Sequence, residues 1–112
     1  TWISRYFGEI ARGAPAPARP PRPARLTASR SLMYEDAYAK LPLLALTWPG
    51  AHAASDDVAA LDLLARLLAD GRDAPLTKLL VEKSRITDAV SASHQDGELA
   101  GGFSIRVRAF DG

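Results

Sequence analysis

Ser55-Asp56-Asp57-Val58-Ala59-Ala60-Leu61-Asp62-Leu63-Leu64-Ala65-Arg66-Leu67-Leu68-Ala69-Asp70-Gly71 decides the fold of this chain. Val58, Leu61, Leu64 and Leu68, with Leu63 and Leu67 beside them, recur at helical spacing and give one wide apolar face. Ser55 is suited to cap the start, Asp56 and Asp57 bring negative charge to the positive end of the helix dipole, and Gly71 suits the end. A helix from Ser55 to Ala69 with so broad an apolar face has to lie on another layer.

The flanks supply candidates for that layer. Leu41 to Trp48 is a nearly continuous apolar run of the kind buried on both faces, closed by Pro49-Gly50, and Pro42 near its start argues for an edge position or for a strand beginning there. Before it, Leu26 to Asp36 alternates weakly and reads as a further strand. Beyond the helix, Pro75 fits the first turn of a second, shorter helix through Leu76, Leu79 and Leu80. Thr87 to Gln95 and Phe103 to Phe110 follow as strands; Phe103, Ile105, Val107 and Ala109 alternate with Ser104, Arg106 and Arg108, and Asp96-Gly97 offers hairpin-turn chemistry. The expectation is an α+β fold with an antiparallel or mixed sheet of about four strands packed by two helices.

The N-terminal part has a different character. Trp2, Ile3, Tyr6 and Phe7 fall at helical spacing, and Gly8 suits a left-handed cap at the end of a longer helix. Ala11 to Arg25 then carries five prolines between Pro15 and Pro23, which exclude helix and ladder pairing and predict an extended surface linker. The expected division is 1–10 as a helix end of a preceding domain, 11–25 as a Pro/Arg-rich linker and 26–112 as the folded domain. Pro17-x-x-Pro20 and Pro20-x-x-Pro23, flanked by Arg19, Arg22 and Arg25, also admit a second reading as a polyproline II ligand for an SH3-like domain, or as a contact for an anionic surface.

Charge separates along the same line. The net charge of +1 hides six Arg against Glu9 alone in residues 1–34, and eight Lys or Arg against twelve Asp or Glu in residues 35–112. A basic tail joined to a mildly acidic body is the pattern. Nucleic acid is not an expected partner, because the basic residues sit among prolines with no aromatic stacking platform. No apolar run reaches the length of a membrane span, and neither an initiator Met nor a signal-like start is present, so an excised segment is expected. With no cysteine, disulfides, thiolate zinc sites and cysteine nucleophiles are excluded, while the compartment, periplasmic or cytoplasmic, stays open.

Candidate chemistry is sparse. His52 stands near Ser55, Asp56 and Asp57, but neighbours on one loop rarely converge as a nucleophile, base and orienting carboxylate. His94 falls alone on a strand. Glu35 with Asp36, and Asp56 with Asp57, are adjacent acids without the spaced oxygens that a hard cation needs. Gly71-Arg72-Asp73 resembles no phosphate-cradling loop.

The order of motifs carries more. Tyr6-Phe7-Gly8-Glu9-Ile10 before a proline-rich stretch, Leu43-Leu44-Ala45-Leu46-Thr47-Trp48-Pro49, the leucine-rich helix ending at Gly71, Leu76-Thr77-Lys78-Leu79-Leu80-Val81-Glu82-Lys83, Ala89-Val90-Ser91-Ala92 and Gly101-Gly102-Phe103 together resemble the pitrilysin/insulinase family of zinc metallopeptidases, or inverzincins. That family holds zinc on an inverted His-x-x-Glu-His helix, and neither His52 nor His94 is followed by Glu-His.

The resemblance therefore implies the first half of a metal-lacking partner domain, α/β in build, which completes a substrate chamber and helps hold the peptide. The implied partners are the catalytic domain of the same parent chain and a peptide substrate, with zinc in that catalytic domain and no cofactor in this segment. This segment alone would not be catalytic. Some relatives direct an Arg and, seven positions later, a Tyr at the peptide; Val81 and Asp88 occupy those positions here, so the gripping pair is absent. A non-catalytic scaffold, like the core proteins of a respiratory complex, is the alternative. Cut from its surroundings, such a half-domain is expected to self-associate.

Overall fold

Layering begins only after Pro42. The computed structural model describes residues 1–110, so the last two positions of the expected 26–112 domain lie outside the described residues. Helix α1 is short, Trp2–Phe7. Gly8 has φ −65° and ψ −23°, a right-handed conformation and not the left-handed cap expected. The chain leaves the helix instead through a turn in which the Ile10 N–H donates to the Phe7 carbonyl at 3.1 Å.

From Ile10 to Pro42 every residue is exposed and none belongs to a helix or paired strand. The radius of gyration, 20.6 Å, shows the consequence, since a compact chain of this length has about 13 Å. The strand expected over Leu26 to Asp36 is therefore absent. Its weak alternation offers no face to bury, and Leu32, Met33 and Tyr34 stay in solvent, so nothing offsets the entropy of ordering it.

The body holds β1 (Leu43–Gly50), α2 (Val58–Ala69), α3 (Pro75–Thr77), β2 (Thr87–Asp96) and β3 (Gly101–Ala109). Its sheet has three strands in the order β1-β3-β2, both pairings antiparallel. The expectation of about four strands is thus corrected to three, the missing one being Leu26–Asp36. The α+β class stands.

Strand β1 runs on through Pro49 and Gly50, which pair with Gly102 and Gly101. Pro49 is tolerated because β1 is an edge, where a missing N–H breaks no ladder. That edge position also explains why β1 is exposed along nearly its whole length, against the expectation of burial on both faces.

Helix α2 starts three residues later than Ser55. Ser55 Oγ accepts from the Asp57 N–H at 3.3 Å and its carbonyl accepts from the Val58 N–H at 3.3 Å. Ser55 therefore shapes the turn before the helix, Asp57 takes the N-cap position without a side-chain bond, and both acids stand ahead of the first turn. Gly71, at φ +85°, supplies the left-handed turn after the helix.

Pro75 opens α3 at its first turn, where a missing N–H costs nothing; the helix then continues as a π-helical segment over Lys78–Lys83. There the Ser84 N–H reaches back five residues to the Leu79 carbonyl, 2.9 Å. Arg85, at φ +52°, turns the chain into β2.

Register fixes which side chains meet. Trp48, Leu46 and Leu44 on β1 lie opposite Phe103, Ile105 and Val107 on β3, and these lie opposite His94, Ala92 and Val90 on β2. Since cross-strand partners share a face, all nine point to the same side. The other side carries Ser93 and Ser104, whose hydroxyls are 3.1 Å apart, with Arg106 and Arg108. Helix α2 covers the apolar side mainly over β2. Only part of its leucine face is used: Ala65 is buried and Leu61 and Leu68 are half-buried, whereas Leu63, Leu64 and Leu67 are exposed.

A buried hydroxyl anchors the start of β2. Thr87 is 1% exposed and sits where the register slips between Thr87 and Val90. Its Oγ1 lies 2.7 Å from the carbonyls of Ala89 and Arg108 and accepts from the Ala89 N–H at 3.2 Å. One hydroxyl proton serves either carbonyl, so the irregular segment is tied to β3 from within. The hairpin between β2 and β3 is a four-residue loop, 97–100, closed by the Gly97 N–H donating to the Ala100 carbonyl at 3.0 Å.

Candidate functional site

The sequence-level candidates scatter. Val81 is half-buried on the π-helical segment, and Asp88 is exposed on β2 beside the irregularity at Thr87. His52 Nδ1 accepts from the Ala54 N–H at 3.3 Å, and Ser55 Oγ is engaged by Asp57. Both side chains are thereby committed to local turns, and no nucleophile, base and carboxylate line up there. Asp36 Oδ1 likewise accepts from the Tyr38 N–H at 2.9 Å, which is ordinary turn chemistry.

His94 has a more defined setting than a lone strand histidine suggests. Its side chain is 0% exposed, because the two-residue period that half-buries Val90 and Ala92 carries it onto the same face beneath α2. A carbonyl oxygen only accepts, so Nε2–H donates to the Ala51 carbonyl, 3.2 Å away. The other nitrogen, Nδ1, faces Asp62 Oδ1 on α2 at 3.4 Å, within ion-pair range but without hydrogen-bond geometry. One imidazole thus joins the loop after β1, the sheet and the helix. Period-two counting from Val90 is the sequence signal for the face it shares, though not for its burial or its partners.

These groups do not fit a zinc site. A catalytic zinc takes three protein ligands, and among the described residues no three of His, Cys, Asp or Glu come together. His94 and Asp62 are two, and Nε2 is already spent on Ala51.

The incomplete cover of the sheet leaves a groove. Between α2 and the β1 half of the sheet lies a space of ≈ 350 Å³ lined by Trp48, Leu61, Leu64, Leu68, Phe103 and Ile105. Trp48 and Leu46 are each 44% exposed and Leu44 57%, so this apolar strip faces solvent. Beside it runs the free edge of β1, whose outward backbone groups have no partner strand among the described residues. Such a surface has the character suited to apolar side chains and to pairing with an added strand.

A three-stranded antiparallel sheet under a leucine-rich helix defines an α+β unit. Residues 1–110 match the family model described as the peptidase M16 inactive domain, and the chain belongs to that family, as a pitrilysin/insulinase-like non-catalytic domain. A protease from Helicobacter pylori has a similar fold: TM-score 0.62, 23% identity, 67% of this chain and 18% of that one covered. The chain therefore spans less than a fifth of that structure's length. Comparison with curated proteins gives no match. Among the described residues no helix is long and apolar enough to cross a membrane.

Proposed function

We propose that this chain is the metal-lacking domain that completes the substrate chamber of a zinc-dependent metalloendopeptidase. The match of residues 1–110 to an inactive peptidase domain carries the reading. Membership of the family implies a catalytic domain in the same parent chain, and the open groove and free edge of β1 are where further parts of such a parent would pack. Zinc chemistry belongs in this reading to the catalytic domain, and no step of it runs through this chain.

The positions of Val81 and Asp88 refine the role. A half-buried aliphatic group and a lone exposed carboxylate cannot supply the cation and phenol that relatives direct at the peptide, so the contribution is closure and shape. The same substitutions favour the scaffold reading, and one experiment separates the two. The full-length parent should hydrolyse a quenched fluorescent peptide in a chelator-sensitive way. Deleting residues 26–112 should lower kcat/KM about a hundredfold by misplacing substrate, with zinc content unchanged. A parent that holds no zinc and cleaves nothing would leave the scaffold.

Alone, the chain should self-associate. It exposes 10001 Å², against about 6,000 Å² for a compact monomer of its mass; the wholly exposed residues 10–42 contribute to that excess, and the apolar strip at Trp48 adds exposed surface on the body itself. Light scattering should report a dimer or larger species at micromolar concentration; a monomer would show that the strip is tolerated in water.

A further inference from the structure

Residues 17–25 read Pro-Ala-Arg, Pro-Pro-Arg, Pro-Ala-Arg without interruption. Proline fixes φ and removes the donors that helix and sheet need. Such a sequence favours polyproline II, which turns once in three residues and rises about 3.1 Å per residue. A three-residue repeat on a three-residue turn sorts its side chains onto edges. Pro17, Pro20 and Pro23 make one edge, Ala18, Pro21 and Ala24 the second, and Arg19, Arg22 and Arg25 the third, successive arginines about 9 Å apart. Two edges are apolar and one is wholly cationic.

The structure presents this segment openly. All nine residues are exposed and outside any helix or strand, and among the described residues none of the three arginines is in an ion pair. The Arg22 N–H donates to the Leu99 carbonyl at 2.7 Å, so the middle triplet is fastened at the β2–β3 hairpin and displayed on the body.

A spacer gains nothing from arginines in register, and a polyanion would read the arginine edge alone. A groove with aromatic ridges for the prolines and carboxylates beside them reads all three edges. We infer that residues 17–25 are a docking ligand for a protein domain of SH3-like chemistry. Pro17 and Pro20, or Pro20 and Pro23, seat between aromatic ridges, and Arg22 or Arg25 pairs with the acidic pocket two residues beyond. The frames Pro17-x-x-Pro20-x-Arg22 and Pro20-x-x-Pro23-x-Arg25 overlap by one turn, so either engages the same groove.

The test titrates the intact chain by calorimetry with a panel of isolated SH3 domains whose specificity pockets carry Asp or Glu. Saturable one-to-one binding is expected for at least one member. Arg22→Ala with Arg25→Ala should weaken it about tenfold or more, through loss of a charge-assisted pair. Pro17→Ala, Pro20→Ala and Pro23→Ala together should do the same, because the prolines both fill the ridges and pre-order the backbone. All these positions are exposed, so thermal unfolding should not move. No saturable binding across the panel would overturn the proposal. So would equal binding by a chain in which residues 17–25 are shuffled, or binding to heparin alone that the arginine substitutions abolish and the proline substitutions leave intact.

Discussion

Phe103→Ala should cost about 3 to 5 kcal/mol, the usual price of truncating a buried aromatic ring. Phe103 is 7% exposed on the central strand, opposite Trp48 on one side and His94 on the other. Its ring centroid is 6.2 Å from that of Trp48 with the planes 55° apart, a tilted pairing that adds to area burial. Among the described residues only Ala65, Ala74, Phe103 and Val107 are buried apolar residues, so little else is placed to absorb the loss. A domain with about 5 to 15 kcal/mol in all would be partly unfolded by this change. Denaturant unfolding followed by Trp48 fluorescence measures it, with Phe110→Ala, at a half-exposed position, expected within about 0.5 kcal/mol as the control. A cost below about 1 kcal/mol for Phe103→Ala would place the core elsewhere.

Gly101→Ala is expected to be nearly as damaging, for a steric reason. A Cβ at residue 101 would overlap the Ala51 carbonyl oxygen and stand 2.8 Å from the Gln95 carbonyl oxygen. Both are backbone atoms, so no side chain can swing aside. The register partner is close-packed to a lesser degree: a Cβ on Gly50 would meet His94 Cδ2 at 2.9 Å and Gly102 N at 3.0 Å. Moving Ala51 also breaks its bond from His94 Nε2. The expected cost is about 3 kcal/mol, the upper range for overpacking, accompanied by displaced imidazole resonances of His94 in NMR spectra. Gly102→Ala supplies the contrast, since its nearest neighbour would be Trp48 O at an ordinary 3.8 Å. Equal stability of the Gly101 and Gly102 variants would contradict the close approach of the loop after β1.

Much of the body was legible because its signals are local. The leucine repeat before Gly71, Pro75 at a helix start and the alternation from Phe103 to Ala109 each report a period set by backbone geometry. Pro42 correctly pointed to an edge. Local signals failed where pairing is decided by a distant partner. Leu26–Asp36 has strand-like residues but no neighbour to receive it, whereas β1 continues through Pro49-Gly50 because Gly101 and Gly102 wait opposite. Ser55 has capping chemistry, yet the turn it stabilises comes before the helix. Of the Asp96-Gly97 pair that offered hairpin-turn chemistry, only Gly97 lies in the four-residue loop at 97–100, since Asp96 is held in the ladder opposite Gly101.

The sequence by itself determined the family, the α+β class and the lack of a His-x-x-Glu-His motif in these residues, because motif order, periodicity and missing residue types need no third dimension. Tertiary structure alone decided that His94 is buried between Ala51 and Asp62, and that α2 covers β2 while leaving the β1 half of the sheet open. Both follow from strand order β1-β3-β2 and from how far one helix can reach across three strands. Neither quantity is written in any single segment.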